Sequence, residues 1–202
     1  MTRNLKKSIF LRRDIYIIKI AAFLDLQGTL GGSGLDDIRS LKFYPFSVEA
    51  IKRLNDNDIL VIGITNQSLI GKGNLTWNEY EKELVRLKNE LSDNSAHLDA
   101  IYCCPHVRED NCQCKKPKTG LIDSAKKDFN IAVEKSYVVG DMGANDMILA
   151  KNTGAKGILV LTGAGKGSMN EYRHTWQNTE PDFISENVLE AVNYIISDAR
   201  IE

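Results

Sequence analysis

Short runs of apolar, largely β-branched residues at 17–24, 59–64, 98–103, 137–139 and 157–161 constrain the fold more than any other feature of the chain. Each is too short for a helix and lacks the period-two alternation of a half-exposed strand, so each predicts a strand buried on both faces, as in a parallel sheet. The segments between them carry helical periodicity. Ser47 can cap one helix with Val48, Ile51 and Leu54 inward, and Thr76 with Glu79 forms a capping box for a helix reaching Leu91. Thr119 can cap the next over Leu121, Ile122, Ala125 and Phe129. A fourth begins near Asn145, and Ser185 can cap a last one carrying Val188, Leu189, Val192 and Ile195. Strand alternating with helix predicts an α/β, doubly wound, mainly parallel sheet with helices on both faces, whose ligands bind at the carboxyl ends of the strands.

Length and composition narrow the function. The 202 residues suit one domain, read here as a basic arm or edge strand over 1–16 followed by a single domain over 17–202 with no repeat or Pro-rich linker. With 26 Lys+Arg against 27 Asp+Glu the net charge is −1, so no global field recruits nucleic acid or an anionic membrane, and any anionic ligand must be held locally. The longest apolar stretch, Ile15 to Leu26, contains Lys19 and Asp25 and is shorter than the roughly 20 residues of a membrane span. No small-residue cleavage site follows it, so a cytoplasmic protein is expected. A monomer is also expected. All four cysteines fall between positions 103 and 114, which excludes a disulfide framework spread over the fold.

The strand ends supply the chemistry. Asp25-Leu26-Gln27-Gly28-Thr29 follows the first strand and Thr65-Asn66-Gln67-Ser68 the second. A Cys/His cluster running into Lys115-Lys116-Pro117 follows the third, and Gly140-Asp141 with Asp146 the fourth. Carboxylates, a hydroxyl-rich turn and a lysine at one sheet edge suit phosphoryl transfer. A carboxylate nucleophile approaches a phosphate dianion only if a cation offsets the repulsion, and Mg²⁺ on one or two carboxylates is the usual means. Asp25 and Asp141 can hold that ion, Lys116 can balance the remaining charge, and the Thr65 hydroxyl with adjacent N–H groups can bind phosphoryl oxygens.

In this order Asp25-x-x-Gly28-Thr29, Thr65-Asn66-Gln67-Ser68, Lys116 and Gly140-Asp141 resemble the four motifs of the haloacid dehalogenase superfamily of phosphatases, over residues 17 to 197. Within it, Ile101-Tyr102-Cys103-Cys104-Pro105-His106 and Cys112-x-Cys114-Lys115-Lys116-Pro117 resemble the zinc-bearing heptose bisphosphate and histidinol phosphate phosphatases. The resemblance implies a Rossmann-like fold in which Asp25 attacks phosphorus, forms an aspartyl phosphate and releases it to water with Mg²⁺ bound. Asp141 and the backbone carbonyl of Gln27 would complete the metal site, Asp146 would orient metal-bound water, and Thr65 and Lys116 would hold the phosphoryl group. Asn66, Gln67, Ser68 and Lys115 are the expected substrate contacts, Lys115 remaining open between that role and a solvated lysine. Neither 30–46 nor 69–99 is long enough for a large cap, so loops alone should shield the site. The substrate implied is a small phosphorylated metabolite, a sugar phosphate or bisphosphate.

Three positions depart from the family. Position 27 is normally the aspartate that protonates the leaving oxygen and then activates water. A glutamine amide cannot shuttle a proton at neutral pH, which removes a contribution of about 10²–10⁴ in rate, roughly 3–5.5 kcal/mol of barrier. Turnover should be slow and biased toward anomeric, aryl or acyl phosphates; loss of turnover altogether, leaving a phosphate-binding or regulatory protein, is the alternative. Lys115 replaces an arginine of the heptose phosphatases and cannot form the bidentate fork. Met142 replaces a lysine common in those relatives.

Cys104, His106, Cys112 and Cys114 offer three thiolates and an imidazole, the closed tetrahedral donor set of a structural Zn²⁺, in a loop over 103–117 that would fix where Lys115 and Lys116 emerge. Cys103 is left over, as a small apolar side chain facing the core. Thr162-Gly163-Ala164-Gly165-Lys166-Gly167-Ser168 lacks the spacing of a nucleotide loop and reads as a strand-end loop near the site, with Lys166 a candidate outer contact. His97 and His174 lack metal partners in sequence, and Trp77 and Trp176 read as packing residues.

Overall fold

A computed structural model describes residues 18–33 and 37–200, so the arm expected over 1–16 lies outside the described residues. The strands are β1 (Ala21–Leu24), β2 (Leu60–Asn66), β3 (Ala100–Cys104), β4 (Tyr137–Gly140), β5 (Lys156–Val160) and β6 (Phe183–Ser185). The helices are α1 (Ser47–Asp56), α2 (Ser68–Gly71), α3 (Trp77–Ser92), α4 (Gly120–Phe129), α5 (Ile148–Thr153), α6 (Gly165–Met169) and α7 (Val188–Ala199). The strands form one sheet in the order β3-β2-β1-β4-β5-β6, and every neighbouring pair is parallel. The strand order reverses at β1, the topological switch point at which such sheets bind ligands.

Burial on both faces explains the continuous apolar runs. Ala22, Leu24, Val61 and Val139 point into one core layer with Ile51, Leu87, Leu91, Val192 and Ile195 from α1, α3 and α7. Ala21, Phe23, Ile62, Ile64 and Val138 point into the other, with Leu121, Ile122, Ala125 and Leu149 from α4 and α5. Cys103 packs half-buried against the first layer, as expected of a surplus apolar thiol.

Several local expectations shift. β1 starts at Ala21, Lys19 making only an isolated bridge to Ile131. β6 is three residues long, too short for a periodicity signal, and it takes Ser185 into the sheet. Asn187 caps α7 in its place, its side chain accepting from the Leu189 and Glu190 N–H groups. Ser47 is the first helical residue of α1, which has no side-chain cap. Thr119 stands at the N-cap of α4, but its hydroxyl donates to Asp123 Oδ2 at 2.7 Å. The capping box of α3 forms in both directions, Glu79 N donating to Thr76 Oγ1 and Thr76 N to Glu79 Oε2. The segment after β4 opens as a π turn over Gly143–Met147 before α5. Trp176 is buried, whereas Trp77 is half exposed and meets Tyr80 edge-on.

Among the described residues, 69–99 holds only α2 and α3, the latter packed on the core through Tyr80, Leu87 and Leu91, and 30–46 holds one short turn at Ile38–Ser40. No helix among the described residues is long and apolar enough to cross a membrane.

Candidate active site

The carboxyl ends of β1, β2, β3 and β4 converge, as the switch-point geometry requires, on a buried group of charges. Lys116, 4% exposed, reaches from the β3 loop to Asp25 Oδ1 at 2.6 Å and Asp146 Oδ1 at 2.7 Å. A lysine is tolerated at this depth only because it is paired. Burial works against its charge, yet Asp146 and Asp25 together outweigh that and raise its pKa above the ordinary lysine value. Its backbone is braced by Asn66, whose Oδ1 accepts from Lys116 N at 3.0 Å and whose Nδ2 donates to Lys116 O at 3.3 Å.

Asp25, Asp141 and Asp146 bring one carboxylate oxygen each within 4.8 Å of one another. Burial pushes Asp25 up to about 6, Lys116 opposing and Asp146 adding to the rise. Burial, then the charges of Asp25 and Asp146, pushes Asp141 up to about 8. Asp141 Oδ2 accepts from Ala164 N at 2.7 Å, while Oδ1 is buried with no hydrogen-bond partner. The walls around this carboxylate are glycines. A Cβ on Gly28, whose φ is +88°, would lie 2.0 Å from Asp141 Oδ2, and one on Gly163 would lie 2.2 Å from the same atom. The 162–164 loop is also tied to the turn after β1 through Thr162 Oγ1, which donates to Gly28 O at 2.7 Å. An orphaned carboxylate oxygen beside two more carboxylates, in a cradle that any side chain would fill, is an oxygen-donor site of the kind a hard divalent cation needs.

The β2 turn faces inward. Gln67 Nε2 donates to Gln27 Oε1 at 2.7 Å and to Thr65 Oγ1 at 2.8 Å, and Thr65 Oγ1 donates to Gln27 Oε1 at 3.2 Å. Ser68 Oγ donates to His106 O at 3.1 Å and accepts from Lys115 Nζ, which also donates to His106 O. Asn66, Gln67, Ser68 and Lys115 thus all meet protein partners, and Lys115 still lines the site's cavity.

The thiol cluster assembles at the end of β3. Cys104 Sγ lies 3.6 Å from both His106 Nδ1 and Cys112 Sγ, and His106 Nδ1 lies 3.2 Å from Cys114 Sγ. Tetrahedral Zn²⁺ with Zn–S near 2.3 Å sets its sulfurs about 3.8 Å apart, so the donors fit that ion closely. Burial raises the Cys104 thiol, the effect a bound cation would reverse.

Beside the lysine opens a cavity of about 810 Å³. Arg108, Lys115 and Lys118, from the segment that follows β3, line it together with Met142, Asn145 and Tyr172. Lys166 is exposed and is not among the lining residues, and His97 and His174 stand on the surface. Two features were outside the reach of sequence reasoning: the bracing of Lys116 by Asn66, and the clamp of Gly28, Gly163 and Ala164 on Asp141. The paired glycines were the signal for the clamp, but only the fold reveals that they face one carboxylate.

Comparison with known proteins identifies the family. The family model described as HAD-hydrolase-like matches residues 113–191. The D-glycero-beta-D-manno-heptose-1,7-bisphosphate 7-phosphatase of Haemophilus ducreyi is 36% identical over 155 residues, covering 72% of this chain and 85% of that protein. The enzyme of the same name from Pasteurella multocida is 34% identical over 155 residues, 72% and 84% of the two chains. The crystal structure of D,D-heptose 1.7-bisphosphate phosphatase from B. bronchiseptica, complexed with magnesium and phosphate, has the same fold at a TM-score of 0.80 and 24% identity, covering 90% of this chain and 99% of that one. With relatives this similar along most of their length, the chain belongs to the haloacid dehalogenase superfamily, in the family of phosphoric monoester hydrolases that holds the heptose bisphosphate phosphatases.

Proposed function

We propose that the protein is a Mg²⁺-dependent phosphatase of a small sugar phosphate or bisphosphate that works through an aspartyl phosphate on Asp25. The carrying observation is Lys116, which holds Asp25 and Asp146 at 2.6 and 2.7 Å beside the orphaned Asp141 Oδ1. Asp25, Asp141 and the Gln27 carbonyl would hold the Mg²⁺, which when bound offsets the repulsion between carboxylate and phosphate. Lys116 keeps Asp25 ionised and positioned, and its ammonium and the Thr65 hydroxyl are donors for phosphoryl oxygens. Asp146 holds Lys116 and accepts from Met142 N at 3.1 Å, which fixes the turn carrying Asp141. The thiol cluster would hold structural Zn²⁺ and so fix the origin of Lys115 and Lys116.

The cavity supports an anionic substrate with a second charged end. Its described lining contains Arg108, Lys115, Lys116 and Lys118 and no Asp or Glu. Relatives named for a heptose bisphosphate favour that class, while Lys115 and Met142, both lining the cavity, stand where the resemblance leads one to expect an arginine and a lysine. The test is a phosphate-release screen over sugar phosphates, bisphosphates, histidinol phosphate and aryl phosphates, with Gln27→Asp in parallel. Release from a sugar phosphate, raised by Gln27→Asp, is expected. The second reading, a phosphate-binding protein without turnover, is favoured by Gln27 and would appear as ligand affinity without release in either protein.

A further inference from the structure

This inference rests on the phosphatase reading. An aspartyl phosphate route has two halves, and both place a proton problem at position 27. In the first half an Asp25 oxygen attacks phosphorus and the bond from phosphorus to the substrate oxygen breaks. That oxygen leaves with the electron pair and finally takes a proton. In the second half water attacks phosphorus and the bond from phosphorus to Asp25 breaks. The electron pair returns to the carboxylate, and the water must give up a proton. The halves differ in how badly they need help. An anomeric or aryl oxygen leaves as a weak base, whereas water holds its proton with a pKa of about 15.7 whichever substrate delivered the phosphoryl group.

The site offers the second half no base. Gln27 Oε1 already accepts from two donors, Gln67 Nε2 at 2.7 Å and Thr65 Oγ1 at 3.2 Å, which fills the two lone pairs of an amide oxygen. Asp146 is engaged by Lys116 and by Met142 N, and Asp141 accepts from Ala164 N on Oδ2 while its Oδ1 is the oxygen that the Mg²⁺ would take. Among the described residues that line the cavity there is no Asp, Glu or His.

We infer that Gln27 divides the reaction. Phosphoryl transfer to Asp25 proceeds from substrates with weakly basic leaving oxygens. Hydrolysis of the aspartyl phosphate is slow and equal for all of them, so the protein rests phosphorylated on Asp25 whenever substrate is present. Among such substrates the turnover number then carries no information about which is preferred; the rate of phosphorylation does.

The full chain, loaded with Mg²⁺, is mixed with excess aryl phosphate or an anomeric sugar phosphate and quenched in acid at intervals. Released leaving group is counted and the intact protein weighed by mass spectrometry. The expected result is a burst approaching one leaving group per chain, then the same slow steady rate for both substrates. Phosphorylated protein should dominate and be cleaved by hydroxylamine. Gln27→Asp should abolish the burst and raise the steady rate by about 10²–10⁴. Steady turnover with no burst and no phosphorylated protein overturns the inference. Release from no phosphate by either protein sinks the phosphatase reading beneath it.

Discussion

At the scale of single residues, function turns on how carboxylates are held. Asp141 is gripped by one backbone N–H and walled by glycines, so its free oxygen has a fixed direction. Gly163→Ala places a methyl group where that carboxylate sits and is expected to weaken Mg²⁺ binding by about 10–100-fold, the usual effect of disturbing a ligand's support. Calorimetry on the folded variant checks this, and unchanged affinity would show that the clamp does not orient Asp141. The same scale shows how much was legible from sequence. Asp25, Thr65, Lys116, Asp141 and Asp146 stand out because chemistry restricts residue type at strand ends, and the structure gathers them at one sheet edge. The bracing of Lys116 by Asn66 was not legible, because an amide pairing with a backbone 50 residues away leaves no local pattern.

At the scale of elements, the buried strands were legible because burial on both faces leaves an unbroken apolar run, while β6 was lost because three residues carry no period. Helix starts were the weaker reading: Ser, Thr and Asn are interchangeable as caps, and tertiary packing decides which one is used. The loop over 103–117 is the element on which the site most depends, since it delivers Lys116 and lines the cavity with Cys112 and Lys115. Zinc should therefore be present at one equivalent in purified protein, and a zinc-selective chelator should lower both the melting temperature and phosphate release. Metal analysis without zinc, with neither property responding to its addition, would rule this out.

At the scale of the whole molecule, three carboxylates facing one ammonium leave excess negative charge in a low-dielectric interior. Asp25 and Asp141 are held near 6 and 8 against an ordinary value of 3.8, so the native state binds more protons than the unfolded chain across that interval. Stability of Mg²⁺-free protein should therefore fall as pH rises from about 4 to about 8, and added Mg²⁺ should flatten the slope by favouring the ionised carboxylates. Urea midpoints at several pH values, with and without Mg²⁺, measure this; a Mg²⁺-free midpoint that rises with pH would contradict it. Lys116 also joins parts of the chain far apart in order: Asp25 lies 91 residues before it and Asp146 30 residues after, while Thr162 is tied to Gly28 across 134. No hairpin or local helix can preassemble such a knot, so its formation waits for closure of the slowest, longest loops. Recovery of catalysis during refolding is thereby a clock for the last topological event, separate from the earlier return of helical signal.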